Sequence, residues 1–119
     1  MQITTTFRDM APSPALESAA QRWFARLVHV SPRITTCHVT IEQPHRSHHQ
    51  GAAFQVGIVL SVPGTRIAIS RHSHVDAHVA LADAFRAARR QLLEHADTHQ
   101  GRDVAPMLDA QRLAEAELS

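Results

Sequence analysis

The chain has 119 residues, 44% of them hydrophobic, with twelve basic against eleven acidic residues and a formal net charge of +1. That is one ordinary domain, long enough to bury a single core without staples. No apolar run is long enough to span a bilayer, the lone Cys37 excludes an internal disulfide, and a charge so near neutral does not by itself announce a nucleic-acid binder.

Met1 to Phe7 alternates Ile3, Thr5 and Phe7 against Gln2, Thr4 and Thr6, which predicts a strand. It has no basic region followed by an apolar block, so no secretory signal is expected. Ser13 followed by Pro14 is a helix start: a hydroxyl cap, then proline in the first turn. Leu16, Ala20, Trp23, Phe24 and Leu27 fall on one helical stripe. Pro32 ends that helix near His29 or Val30.

Ile34 to Glu42 predicts the second strand, with Cys37, Val39 and Ile41 on one side and Thr36, His38 and Thr40 on the other. The connection that follows contains PHRSHHQG (Pro44 to Gly51), with three of the chain's ten histidines inside five positions. Ala53 to Val62 predicts the third strand, carrying Phe54, Val56, Ile58, Leu60 and Val62 on one face. Pro63-Gly64 predicts a type II turn. Arg66 to Ser70 reads as a short fourth strand, and Arg71 to Val75 as a polar connection. A second helix is expected from Asp76 to His99, with Ala77, Leu81, Ala84, Phe85, Ala88 and Leu92 inward and Gly101 as its stop. The tail after Pro106 has the composition of a short Ala-rich helix.

The expected order is β-α-β-β-β-α. The helical crossover makes the first two strands parallel, and hairpins join the rest. One apolar face per strand calls for a four-stranded sheet covered on one side by both helices. This is an α/β, two-layer α+β domain laid out like a double-stranded-RNA-binding domain. Residues 1–100 form the expected domain and 101–119 a C-terminal tail. The connection 43–52 and the stretch 71–75 share one rim, which places His45, His48 and His49 on the side of His72, His74 and His78.

All twelve basic residues are Arg. A coding bias accounts for the total, so the informative feature is where they cluster. Arg22, Arg26 and His29 recur at i, i+4 and i+7 beside the first core stripe, with Arg33 following. Arg86, Arg89 and Arg90 lie off the second stripe. Helices packed side by side would present two Arg rows, the arrangement that phosphate contact requires. A merely solvated face is the plainer reading, and Glu17, Asp83 and Glu94 dilute the patch. All five aromatics, Phe7, Trp23, Phe24, Phe54 and Phe85, fall on predicted core stripes, so stacking of RNA on the open sheet is not expected. Trp23 lies at the edge of its stripe toward the Arg row and reads as core packing.

The histidine cluster leaves three readings open. As a metal site, His45, His48 and His49 offer nitrogen ligands but no cysteine or acid, so a further ligand would have to come from 71–78. As a pH-responsive anion contact, His45, Arg46, His48 and His49 would approach phosphate more strongly as pH falls. As a plain exposed loop, the motif carries no function. Catalysis finds no support, since Cys37 and His38 point to opposite faces of a strand and no Gly-rich phosphate loop or paired carboxylates occur. No cofactor is implied.

Several strings in order carry a family resemblance. Ala15-Leu16, Phe24-Ala25-Arg26-Leu27 and Arg33-Ile34 are followed by Asp76, Ala80-Leu81 and Arg90-Gln91-Leu92. With PHRSHHQG, SVPG and FRAARRQL they resemble the ribosome hibernation-promoting factor and ribosome-associated inhibitor family, in a proteobacterial branch with a His-rich hairpin. The resemblance spans residues 1–100. It implies a cytoplasmic, non-enzymatic protein that binds 16S rRNA of the small ribosomal subunit, in the channel used by mRNA and tRNA, and silences translation in stress or stationary phase. The family contacts rRNA through basic residues of its two helices; Arg26 and Arg90 match such positions, while Trp23 and Ala87 stand where the family often has Lys. Two rivals remain: a His-rich metal- or pH-sensing module, and a protein-interaction module in which Leu93 and the tail dock a partner or a second copy, as in a homodimer.

Overall fold

The computed structural model describes residues 2–44 and 53–107, with side-chain surroundings as far as residue 96. The chain runs β1 (Gln2–Arg8), α1 (Pro14–Val30), β2 (Thr36–Glu42), β3 (Phe54–Val62), β4 (Thr65–His74) and α2 (Ala77–Met107). The strands form one sheet in the order β1-β2-β3-β4. β1 and β2 are parallel, and the other two pairings are antiparallel. This is the layout the hydrophobic periodicity predicts.

Local chemistry sets the element ends. Ser13 caps α1: its Oγ accepts the Leu16 N–H at 3.2 Å and its carbonyl accepts the Glu17 N–H at 3.0 Å. Asp76 caps α2 in the same way, its Oδ1 accepting the His78 N–H at 2.8 Å. Gly64 has φ +89°, as the third residue of a type II turn requires.

The core lies between the sheet and the helices. Cys37, Val39, Ile41, Val56, Ile58, Leu60 and Ile69 meet Leu16, Ala20, Phe24 and Leu27 of α1 and Leu81, Ala84, Phe85, Ala88 and Leu92 of α2. All are buried, and both helices cover the same sheet face as the strand patterns require.

Two sequence-based boundaries need correction. β4 does not end at Ser70; it pairs with β3 as far as His74, so most of the supposed polar connection from Arg71 to Val75 is strand. The apolar alternation stops at Ile69, but backbone pairing does not need apolar side chains. The register also shifts there: Ile58 faces Ile69 while Val56 faces His72, so Ser70 and Arg71 occupy the interval that Gly57 alone spans on β3. This bulge turns His72 and His74 toward the helix side and Arg71 toward the open face. There the Arg71 guanidinium donates to Glu42 Oε1 at 2.9 Å and to Gln55 Oε1 at 3.2 Å. Second, Gly101 does not stop α2, which continues to Met107. Only a glycine in left-handed geometry terminates a helix in this way, and Gly64 is the one positive-φ glycine among the described residues. A helical glycine costs only about 1 kcal/mol relative to alanine, which good helix formers around it can absorb.

Candidate nucleic-acid interface

The residues singled out on the helices are all exposed: Arg22, Arg26 and His29 on α1, Arg33 just after it, and Arg86, Arg89 and Arg90 on α2. They sit there because the opposite stripes of both helices are consumed by the core. The two helices also pack on each other, which brings the Arg rows side by side.

Trp23 makes the junction. Its partly buried ring stacks on the buried Phe85 ring of α2, with centroids 6.0 Å apart and planes 12° from parallel. Over the same indole lie Arg26 of α1, its guanidinium carbon 5.1 Å from the ring centroid, and Arg86 of α2 at 5.7 Å. Each such contact is worth about 0.5–1 kcal/mol at an exposed site. Two cations 60 positions apart are thereby held over one ring, where mutual repulsion would otherwise spread them. Trp23 is therefore more than the core-packing residue its stripe position suggested. The signal was its place beside Arg22 and Arg26 at the stripe's edge.

Arg26, Arg86 and Arg89 line one cleft with Trp23, Leu27, Val30 and Phe85; its volume is about 170 Å³. Arg90 belongs to a different surface. It lines a wider groove along the free edge of β4 with Thr65, Arg66, Ile67, Gln91 and Glu94. Sequence reasoning missed Arg66, because a single Arg after a turn has no helical periodicity to mark it. The α2 Arg row thus divides between the helix seam and the sheet edge.

Carboxylates leave most of the guanidiniums uncommitted. Arg86 meets Asp83 at 3.4 Å, an exposed i,i+3 pair worth only a few tenths of a kcal/mol. Arg22, Arg26, Arg33, Arg89 and Arg90 have no carboxylate partner among the described residues.

The open sheet face is polar. His38 Nε2 and Thr6 Oγ1 lie 3.0 Å apart there, and no aromatic ring stands on this face among the described residues. Cys37 is buried on the other side, where desolvation pushes its thiol up to about 12. His45, Arg46, His48 and His49 lie outside the described residues. Near their rim, His74 Nδ1 accepts the Asp76 N–H at 2.9 Å. Among the described residues no three His, Cys, Asp or Glu side chains gather in a metal-binding group, and no helix is long and apolar enough to cross a membrane.

A small two-layer α+β domain with cations along its helix seam defines the class. The chain belongs to the Sigma 54 modulation protein / S30EA ribosomal protein family, whose model matches residues 3–100. This is the ribosome-associated hibernation family the sequence resembles, a family of non-enzymatic factors. Among solved structures, the chain is similar to a ribosomal subunit interface protein from Coxiella burnetii, with TM-score 0.70 and 18% identity over 82% of this chain and 99% of that one. It is also similar to the Protein Y N-terminal domain of Thermus thermophilus, with TM-score 0.63 and 15% identity over 76% of this chain and 94% of that one. At these identities the likeness is one of fold. No curated protein matches the sequence.

Proposed function

We propose that this protein binds 16S rRNA of the small ribosomal subunit through the Arg-bearing faces of α1 and α2, and represses translation in the cytoplasm under stress. Family membership supports association with the ribosome. The observation that carries the mode of binding is the convergence of Arg26 and Arg86 over Trp23, with Arg89 lining the same cleft. Guanidiniums at helical spacing, on a face with few carboxylates, suit a sugar-phosphate surface. With no ring on the open sheet, that face has no base-stacking platform, and the helices are left as the binding side.

Co-sedimentation with purified small subunits over a salt series tests the reading. Binding is expected to weaken steeply as salt rises, because each neutralised phosphate releases counterions. Binding that is insensitive to salt, or confined to the large subunit, would overturn it.

A further inference from the structure

We infer that the cleft at the seam of α1 and α2 is a subsite for one unstacked nucleobase of single-stranded RNA, with Trp23 as its platform and Arg26, Arg86 and Arg89 on the adjoining phosphates. This rests on the rRNA-binding reading above and adds contact with a base to contact with the backbone.

The cleft combines two chemistries. Leu27, Val30, Trp23 and Phe85 supply hydrocarbon and ring, and three guanidiniums stand beside them. A backbone clamp needs only the cations. It gives no reason for a half-exposed indole in the middle of a charged face, nor for Val30, which is 37% exposed in the lining of the same cleft. A nucleotide uses both parts, because its base is a flat π-surface that gains by leaving water and its phosphate is an anion a few bonds away.

The platform is rigid and its covers can move. Trp23 is held by its stack on Phe85, itself only 2% exposed. Arg26 and Arg86 are exposed side chains resting on the indole. An incoming base can replace one guanidinium on the ring or stack on its planar face, and the displaced cation remains within reach of the phosphate. Duplex RNA, whose bases are paired and stacked, cannot offer a base to this cleft.

Trp23 is the chain's single tryptophan, so its fluorescence reports on the site directly. The full-length protein is titrated with a short oligoadenylate, an abasic ribose-phosphate oligomer of equal length, and an RNA duplex. The oligoadenylate is expected to quench Trp23 and to bind roughly 5- to 100-fold more tightly than the abasic oligomer, the range that stacking of one base supplies. Equal binding of the two would overturn the subsite. In fluorescence-anisotropy measurements with labelled RNA, Trp23→Leu is expected to erase the preference while leaving abasic affinity intact, and Trp23→Phe to retain most of it. Equal weakening of both ligands by Trp23→Leu, or loss of the preference in Trp23→Phe with the fold intact by circular dichroism, would also overturn it. Ribosomes that retain wild-type affinity for Trp23→Leu would remove the base subsite and leave the backbone reading standing. Failure of wild-type protein to bind ribosomes would remove both.

Discussion

The rings of Trp23 and Phe85 lie 6.0 Å apart and nearly parallel, one carried by each helix. Phe85 is anchored in the core beneath the sheet-facing stripe of α2, so the charged seam above is built on the most immobile part of the molecule. The face that meets solvent inherits its geometry from packing that solvent never reaches.

Phe85→Ala should therefore act twice. Removing a buried phenyl ring costs about 3–5 kcal/mol. It also deprives Trp23 of its support. Urea denaturation should show the loss of stability, and the Trp23 emission of the remaining folded protein should shift toward that of an exposed indole.

Charge reversal separates the two Arg surfaces. Arg26→Glu combined with Arg90→Glu is expected to abolish ribosome pelleting, with stability changed by no more than about 0.5 kcal/mol because both positions are exposed. Because Arg26 lines the seam and Arg90 the β4 groove, the single reversals divide the effect between them. In salt titrations, each lost phosphate contact lowers the slope of log K against log salt by about 0.7–0.9. Unchanged pelleting of the double variant would move the contact away from both helices.

Cys37 predicts an alkaline limit on stability. Its thiol rises from an ordinary 9.0 to about 12 through burial. Below pH 9 both folded and unfolded chains keep the proton, and the thiol adds no pH dependence. Between 9 and 12 the unfolded chain binds fewer protons than the folded one, so stability falls as pH rises through that window. Cys37→Ala should remove this component of the slope at some cost in packing. Thiol reagents at neutral pH should label the native protein slowly and the urea-unfolded protein fast.

Two polar contacts of similar length should differ in worth. Ser13→Ala removes the α1 cap and should cost about 1 kcal/mol. Arg71→Ala breaks the 2.9 Å pair with Glu42 on the open sheet face, where the Arg71 side chain is 56% exposed, and should cost less than about 1 kcal/mol. Thermal melts of the two variants give the comparison.

The sequence by itself determined what depends on neighbours along the chain. Alternation every second residue marked β1, β2 and β3, and the 3.6-residue stripes marked both helices and nearly all their buried positions. Ser13-Pro14 and Pro63-Gly64 announced a cap and a turn through their own side-chain chemistry. The outward placement of Arg22, Arg26, Arg86 and Arg89 followed from the same stripes. Tertiary structure alone decided the extension of β4 to His74, because pairing with β3 across a bulge leaves no periodic trace. It alone brought Arg26 and Arg86 onto one indole and sent Arg90 to the sheet edge. Periodicity fixes the direction in which a side chain leaves its own helix, whereas the partner it meets depends on how α1 and α2 are set against each other on the sheet, a relation between segments about 60 residues apart that no local pattern encodes.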